Sequence, residues 1–184
     1  MAGAVVPESV SARTVAVLAD CHIHPGTGPD WSASTLAALA GVDLIVTLGD
    51  MGEAAGLERL AAIAPVMGVR GFDDSDDPRT AVALRALRLG DQVLGCVFDP
   101  QSAGLSAAKD PIAVTDGWAA ADAAFGGRMD VLLYASTHKP AVDRIDGRLA
   151  VNPGSATLPD GVRPAFAKLT VADGAVDAEI VFLA

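Results

Sequence analysis

In the first part of the chain, short apolar runs alternate with stretches of helical periodicity. Val15-Ala16-Val17-Leu18-Ala19 and Leu44-Ile45-Val46-Thr47-Leu48 read as buried strands, and Val66-Met67-Gly68-Val69 as a shorter third. Residues 32–40 read as a helix with Ser32 or Ser34 as N-cap and Gly41 as stop. The next helix spans residues 54–63, puts Leu57, Leu60, Ala61 and Ala64 on one face, and ends at Pro65. Strand-helix-strand alternation implies parallel pairing with right-handed crossovers.

The second part has a different rhythm. Residues 81–89 and 92–98 flank Gly90-Asp91, residues 144–145 and 149–151 flank Asp146-Gly147, and residues 166–171 and 176–183 flank Asp173-Gly174. Two-residue polar turns between strand-like runs are hairpin signals. Val131-Leu132-Leu133-Tyr134 is a further apolar run, and residues 116–126 read as a helix capped by Asp116. From Asp99 to Asp116 the periodicity is weak, which suggests a lid-like loop with a short helix near Ser102 to Lys109. A parallel beginning followed by hairpins predicts an α/β fold of two mixed β-sheets packed together, with helices outside.

Half of the 184 residues are apolar, enough for one domain with a real core. Residues 1–12 look like a flexible leader and residues 13–184 like the domain. No apolar stretch approaches the roughly 18 residues that span a bilayer, and the start lacks the pattern of a secretory signal. Cys21 and Cys96 are too few for a disulfide framework, so a reducing cytoplasm is expected. A net charge of −10 disfavours broad nucleic-acid binding but not a small phosphoester drawn to a bound cation.

The chemistry gathers at strand ends. The first strand runs into Asp20-Cys21-His22-Ile23-His24, the second into Gly49-Asp50, and the 131–134 run into Ser136-Thr137-His138. All three histidines lie in these segments. In open α/β sheets ligands collect beyond the carboxyl ends of strands. In an extended chain Asp20 and His22, two apart, project to one side. Asp20, His22, Asp50 and His138 thus form a mixed carboxylate and imidazole set for one divalent ion, Mn²⁺, Zn²⁺ or Fe²⁺. Asn152-Pro153-Gly154-Ser155 reads as a rigid turn that buttresses these loops. Cys21 reads as a small side chain turned into the sheet, and Trp31, Trp118 and Tyr134 as packing residues. Arg70 either grips phosphate oxygens or pairs with the acid run Asp73 to Asp77. His24 is either a general acid or a loop histidine.

The order Asp20-x-His22, Gly49-Asp50, Val69-Arg70-Gly71-x-Asp73, Thr137-His138-Lys139-Pro140 and Asn152-Pro153-Gly154-Ser155 resembles the calcineurin-like metallophosphoesterases. It is closest to their small, single-domain bacterial and archaeal phosphodiesterase branch, from about residue 13 onward. The resemblance implies a four-layer αββα sandwich with a two-metal site at the strand ends. It assigns Asp20, His22, Asp50 and His138 to the first ion. Asp50 would bridge to the second, but the private ligands of that second ion are not of the expected type. Phe72 stands at the asparagine position, Phe98 or Asp99 at a histidine position, and Ser136 at the first histidine of the last motif.

The expectation is therefore a metal-dependent phosphoric ester hydrolase with one well-formed site, one ion rather than two, and Mn²⁺ favoured over Zn²⁺, Fe²⁺ or Mg²⁺. Its catalytic residues would be Asp50, Arg70 and His24. Oxygen ligands from Asp73, Asp74, Asp99 and Ser136 could rebuild a second site. The alternative is a catalytically weak or inactive scaffold that binds a protein partner. A homodimer is a further candidate assembly, since hairpin edges are open to pairing. An amidohydrolase barrel, suggested by His22-Ile23-His24, needs about 250 residues and is set aside.

Overall fold

A computed structural model describes residues 4–103 and 118–184. The first sheet is built around β2, Thr14–Leu18, with β3 (Leu44–Thr47) and β4 (Val66–Gly68) added in parallel on one side. On its other side β10 (Ala165–Ala172) and β11 (Ala175–Phe182) add as an antiparallel hairpin, giving the order β11-β10-β2-β3-β4.

The second sheet contains β1 (Glu8–Ser9), β5 (Leu84–Leu89), β6 (Gln92–Val97), β7 (Val131–Leu133), β8 (Pro140–Ile145) and β9 (Arg148–Pro153). Its order is β1-β5-β6-β7-β9-β8. The pairs β5–β6 and β8–β9 are antiparallel; β1–β5, β6–β7 and β7–β9 are parallel. Both sheets are mixed, as the change of rhythm along the chain predicts.

The apolar runs are continuous because both faces of the central strands are covered. Val15 and Val17 point between the sheets, where they meet Val46, Leu94, Leu133 and Val151. Ala16 and Leu18 point the other way, to Leu39, Leu57 and Leu60 of the helical layer. That layer holds α1 (Ala33–Ala38) and α2 (Ala54–Ala61). Against the outer face of the second sheet lies α3 (Trp118–Phe125), whose Trp118, Ala121 and Phe125 pack on Val93, Leu132 and Ala150. Period-two burial on strands between helical layers is the αββα sandwich.

Local chemistry sets the boundaries. Ser32 caps α1, its Oγ accepting from the Thr35 N–H at 2.9 Å. Asp146-Gly147 and Asp173-Gly174 take positive φ at both positions, the conformation that matches the twist of tight hairpins. The Trp31 indole N–H donates to the Gly56 carbonyl at 3.0 Å, and that of Trp118 to the Ile145 carbonyl at 2.8 Å, so both act in packing. Among the described residues, no helix is long and apolar enough to cross a membrane.

One expectation changes. Residues 4–10 are not loose leader: Glu8 and Ser9 pair in parallel with Leu87 and Arg88, Val5 N–H donates to the Phe125 carbonyl, and Glu8 forms an ion pair with Arg85. Composition hides this, because an edge strand satisfies only one side of its backbone and needs few apolar residues. Pro100–Ala103 forms a short 3₁₀ turn. The remainder of the lid-like loop, its short helix and the Asp116 cap fall outside the described residues.

Candidate metal centre

The loops that follow β2 and β3 run side by side. Asp20 N–H donates to the Gly49 carbonyl, His22 N–H to that of Asp50, and Ile23 N–H to that of Met51. This ladder continues the parallel pairing beyond the strands and brings the first two motifs together. A side chain at Gly49 would meet the Gly71 backbone and the Phe98 ring at 2.7 Å, and φ there is +102°. At Gly71 a Cβ would fall 2.1 Å from the Asp50 nitrogen. Glycine is required at both positions for the three loops to converge.

Asp20, His22, Asp50, Ser136 and His138 all have positive φ, between 47° and 73°. Few non-glycine residues adopt this region, and clusters of them mark functional sites. This geometry corrects the simple pleat argument. Asp20 and His22 reach the centre through left-handed turns, not through an extended i, i+2 relation.

Asp20 is fully buried. Its Oδ2 accepts from the backbone N–H of Ser136 at 3.1 Å and of His138 at 3.3 Å, which docks the distant third loop. Its Oδ1 is buried with no hydrogen-bond partner. Burial pushes the Asp20 carboxyl up to about 6, against the pull of His138 and with a further push from Asp50. A buried carboxylate with an orphaned oxygen is in want of a cation.

The His22 and His138 rings stack, 5.5 Å between centroids and 14° apart. His138 Nδ1 lies 2.6 Å from the Leu158 carbonyl, which can only accept, so Nδ1 donates and Nε2 is left over. His22 Nδ1 lies 2.6 Å from Asp73 Oδ2, while its Nε2 is 3.7 Å from Asp50 Oδ2. An outer oxygen that fixes the ring so that one nitrogen stays available is the usual support of a metal-ligating histidine.

Asp73 is this outer support. Its Oδ2 takes both His22 and His24, at 2.6 and 2.9 Å, and its N–H donates to Asp50 Oδ1 at 2.8 Å. Partial burial opposes its ionisation, but the two histidine bonds outweigh that and hold it below the ordinary carboxylate range. Asp74 is spent on backbone: Oδ1 accepts from Met51 at 2.6 Å and Gly52 at 3.2 Å, and Oδ2 from Gly71 at 2.6 Å. Both carboxylates are thus engaged by protein groups.

The other second-ion candidates are placed differently. Ser136 reaches Asp20 through its backbone N–H. Asp99 Oδ1 accepts from the Gln101 N–H at 2.9 Å, a local turn. Phe98 is buried between the sheets, and Phe72, 84 % exposed, sits edge-on against it at 5.2 Å. Among the described residues, no three His, Cys, Asp or Glu side chains stand ready-made around a metal-sized gap.

Arg70 takes the bland option. Its guanidinium is held at 2.5 Å by Asp76 and at 3.2 Å by the Asp74 carbonyl, which closes its own loop. His24 turns both nitrogens to carboxylates, Asp73 at 2.9 Å and Glu53 at 3.4 Å. The Asp73 hydrogen bond raises its pKa, and so does Glu53. That makes it a brace of the first loop rather than a free proton donor. Cys21 is buried, with its thiol pushed up to about 12 by burial, so it is no thiolate ligand.

The Asn152 turn buttresses as expected. Asn152 Nδ2 donates to Thr137 Oγ1 at 3.0 Å and its Oδ1 accepts from Gly154 N–H at 2.9 Å. Ser155 Oγ donates to the Asp20 carbonyl at 2.7 Å, and Thr157 Oγ1 donates to that of Cys21. The roles of Glu53, Thr157 and the Leu158 carbonyl are missed by sequence reasoning. A carbonyl carries no side-chain signature, and neither Glu53 nor Thr157 belongs to a recognisable motif.

Residues 14–174 match the calcineurin-like phosphoesterase superfamily domain. A probable metallophosphoesterase of Methanothermobacter thermautotrophicus is 27% identical over 172 residues, 91% of each chain. Two solved structures share the fold. Zinc-complexed Vps29 of Entamoeba histolytica has a TM-score of 0.66 at 22% identity, over 92% of this chain and 98% of that one. A Streptococcus pneumoniae protein described as a predicted phosphoesterase has a TM-score of 0.63 at 16% identity, over 94% and 91%. With strand order, motif order and matched span in agreement, the chain belongs to the calcineurin-like phosphoesterase superfamily.

Proposed function

We propose that this protein is a divalent-metal-dependent phosphoester hydrolase working with one ion, held by Asp20, His22, Asp50 and His138. The observation that carries the reading is the orphaned Oδ1 of fully buried Asp20, in a loop cluster where His138 has one ring nitrogen committed to a carbonyl. The donor set of two carboxylates and two imidazoles suits Mn²⁺, Zn²⁺ or Fe²⁺, and Mn²⁺ is the ion we favour. When bound, such an ion supplies Lewis acidity toward a phosphoryl oxygen and lowers the pKa of a water.

The chain's own residues do the rest. Asp73 fixes the His22 ring, and the Leu158 carbonyl fixes His138. Asp50 is anchored by the Asp73 N–H, so its remaining oxygen keeps a defined direction. With the second-ion ligands absent, the phosphoryl group has one cationic anchor where the family pattern has two, and turnover is slow. Metal analysis of purified protein together with hydrolysis of bis(p-nitrophenyl) phosphate in Mn²⁺ tests this. One ion per chain, with turnover lost in Asp50→Asn, supports it.

A protein-binding role without turnover is the second reading. It is favoured by the lack of a ready-made three-donor cluster among the described residues, and the same experiment separates the two. No retained metal and no hydrolysis would establish it over the enzyme.

A further inference from the structure

The Phe72 ring is 84 % exposed, the most exposed of the large apolar side chains among the described residues. It is not loose: it meets Phe98 edge-to-face at 89° and 5.2 Å, and Phe98 is itself buried between the sheets. One side of Phe72 is thus anchored to the core while the rest faces water. Its chain neighbour Asp73 holds both His22 and the Asp50 carboxylate. Leu158 stands beyond the other imidazole, 42 % exposed, with its carbonyl on His138. The Phe98 ring lies where a side chain at Gly49 would be, next to Asp50, so the Phe72 ring that meets it stands beside the loop that carries Asp50.

From this placement we infer that Phe72 is a specificity-determining residue, and that the substrates are phosphoesters carrying a flat aromatic group. This rests on the reading of the centre as a divalent-ion site for phosphoryl groups. The phosphoryl oxygens are drawn to the ion, and the aromatic group lies against the open part of the Phe72 ring. An anchored aromatic gives up little conformational freedom on binding, so the contact contributes to affinity with small entropic loss. A phosphoester of a small polar alcohol gains nothing from it. The same ring that removes a second-ion ligand thereby supplies recognition in its place.

The test compares phenylphosphonate with methylphosphonate, two phosphoryl anions that differ in the ring. Binding to Mn²⁺-loaded protein is measured by calorimetry, so no turnover is required. Wild type is expected to bind phenylphosphonate about fivefold more tightly than methylphosphonate. In Phe72→Ala the ratio should fall to within about twofold, and Phe72→Trp should restore it. Equal affinities in wild type, or a preference that persists in Phe72→Ala, overturn the role of Phe72 while leaving the phosphoryl site standing. Binding of neither phosphonate to metal-loaded protein overturns the site itself and this inference with it.

Discussion

On one side of the centre, Asp20, His22, Asp50 and His138 are held in left-handed backbone and backed by carboxylate, carbonyl and amide partners. On the other, Phe72 is exposed, Asp99 closes a local turn, Phe98 has joined the core, and Ser136, also at positive φ, meets Asp20 through its backbone N–H. The supported side keeps strain that folding alone would not retain. The opposite side carries none of the buried, unpaired polar atoms of the described residues, which are on Asp20, Thr47 and Asp143. The two sides thus differ in burial and in unmet hydrogen bonds, and the unmet bond next to the imidazoles is on Asp20.

Removing a supported ligand should have the largest effect. Asp50→Asn is expected to lower Mn²⁺-dependent phosphodiester hydrolysis about a thousandfold, or about 4 kcal/mol of barrier, measured as kcat/KM. Residual turnover within tenfold of wild type would place the chemistry elsewhere. Gly71→Ala comes next, because its Cβ would stand 2.1 Å from the Asp50 nitrogen. Backbone must move, and a loss of about 3 kcal/mol in denaturant unfolding is expected.

Ion binding should itself stabilise the fold. At a hundred times the dissociation constant, Mn²⁺ should add about 2.7 kcal/mol, seen as a raised Tm that Asp50→Asn abolishes. An unchanged Tm would show that the orphaned Asp20 oxygen is not completed by a cation.

Acid should act on two of the buried aspartates, Asp77 and Asp20, with opposite signs. Asp77 is 7 % exposed, and its hydrogen bonds from Arg79 hold its carboxyl below the ordinary aspartate value of 3.8. Its contribution is full above pH 3.8 and is lost as pH falls through its lower folded value. Asp20, raised to about 6, instead favours the metal-free fold at low pH, an effect complete below 3.8 and lost as pH rises through about 6. Asp20→Asn in metal-free protein should therefore flatten the stability profile between pH 4 and 6, whereas Asp77→Asn should lower stability above about pH 4, with the difference from wild type closing as pH falls below it. Urea unfolding across pH distinguishes them. The smallest effect is expected from Ser136→Ala, because Ser136 meets Asp20 through its backbone. Metal content and turnover should stay within about twofold, and a larger loss would restore its hydroxyl as a ligand.

Much of the fold was legible because each signal had a single physical source. Buried parallel strands announce themselves as unbroken apolar runs, as in β2 and β3. Asp-Gly pairs announce tight hairpins, as at 146–147 and 173–174. The edge strand at Glu8–Ser9 was not legible, since pairing on one edge leaves no apolar pattern. The structure brings Asp20, His22, Asp50 and His138 together, and their convergence follows from strand ends meeting at one edge of the sheets. The outer layer was read poorly. Asp73, read as an oxygen ligand, bonds His22, and Arg70 closes a loop, because carboxylates and guanidiniums serve both purposes and spacing does not separate them.

The central claim is that a single divalent ion sits among Asp20, His22, Asp50 and His138. Anomalous diffraction from crystals soaked in Mn²⁺ tests it most directly. The account predicts one peak, in contact with those four side chains, with His22 still bonded to Asp73 and His138 to the Leu158 carbonyl. Two peaks bridged by Asp50, or a peak away from these residues, would contradict it.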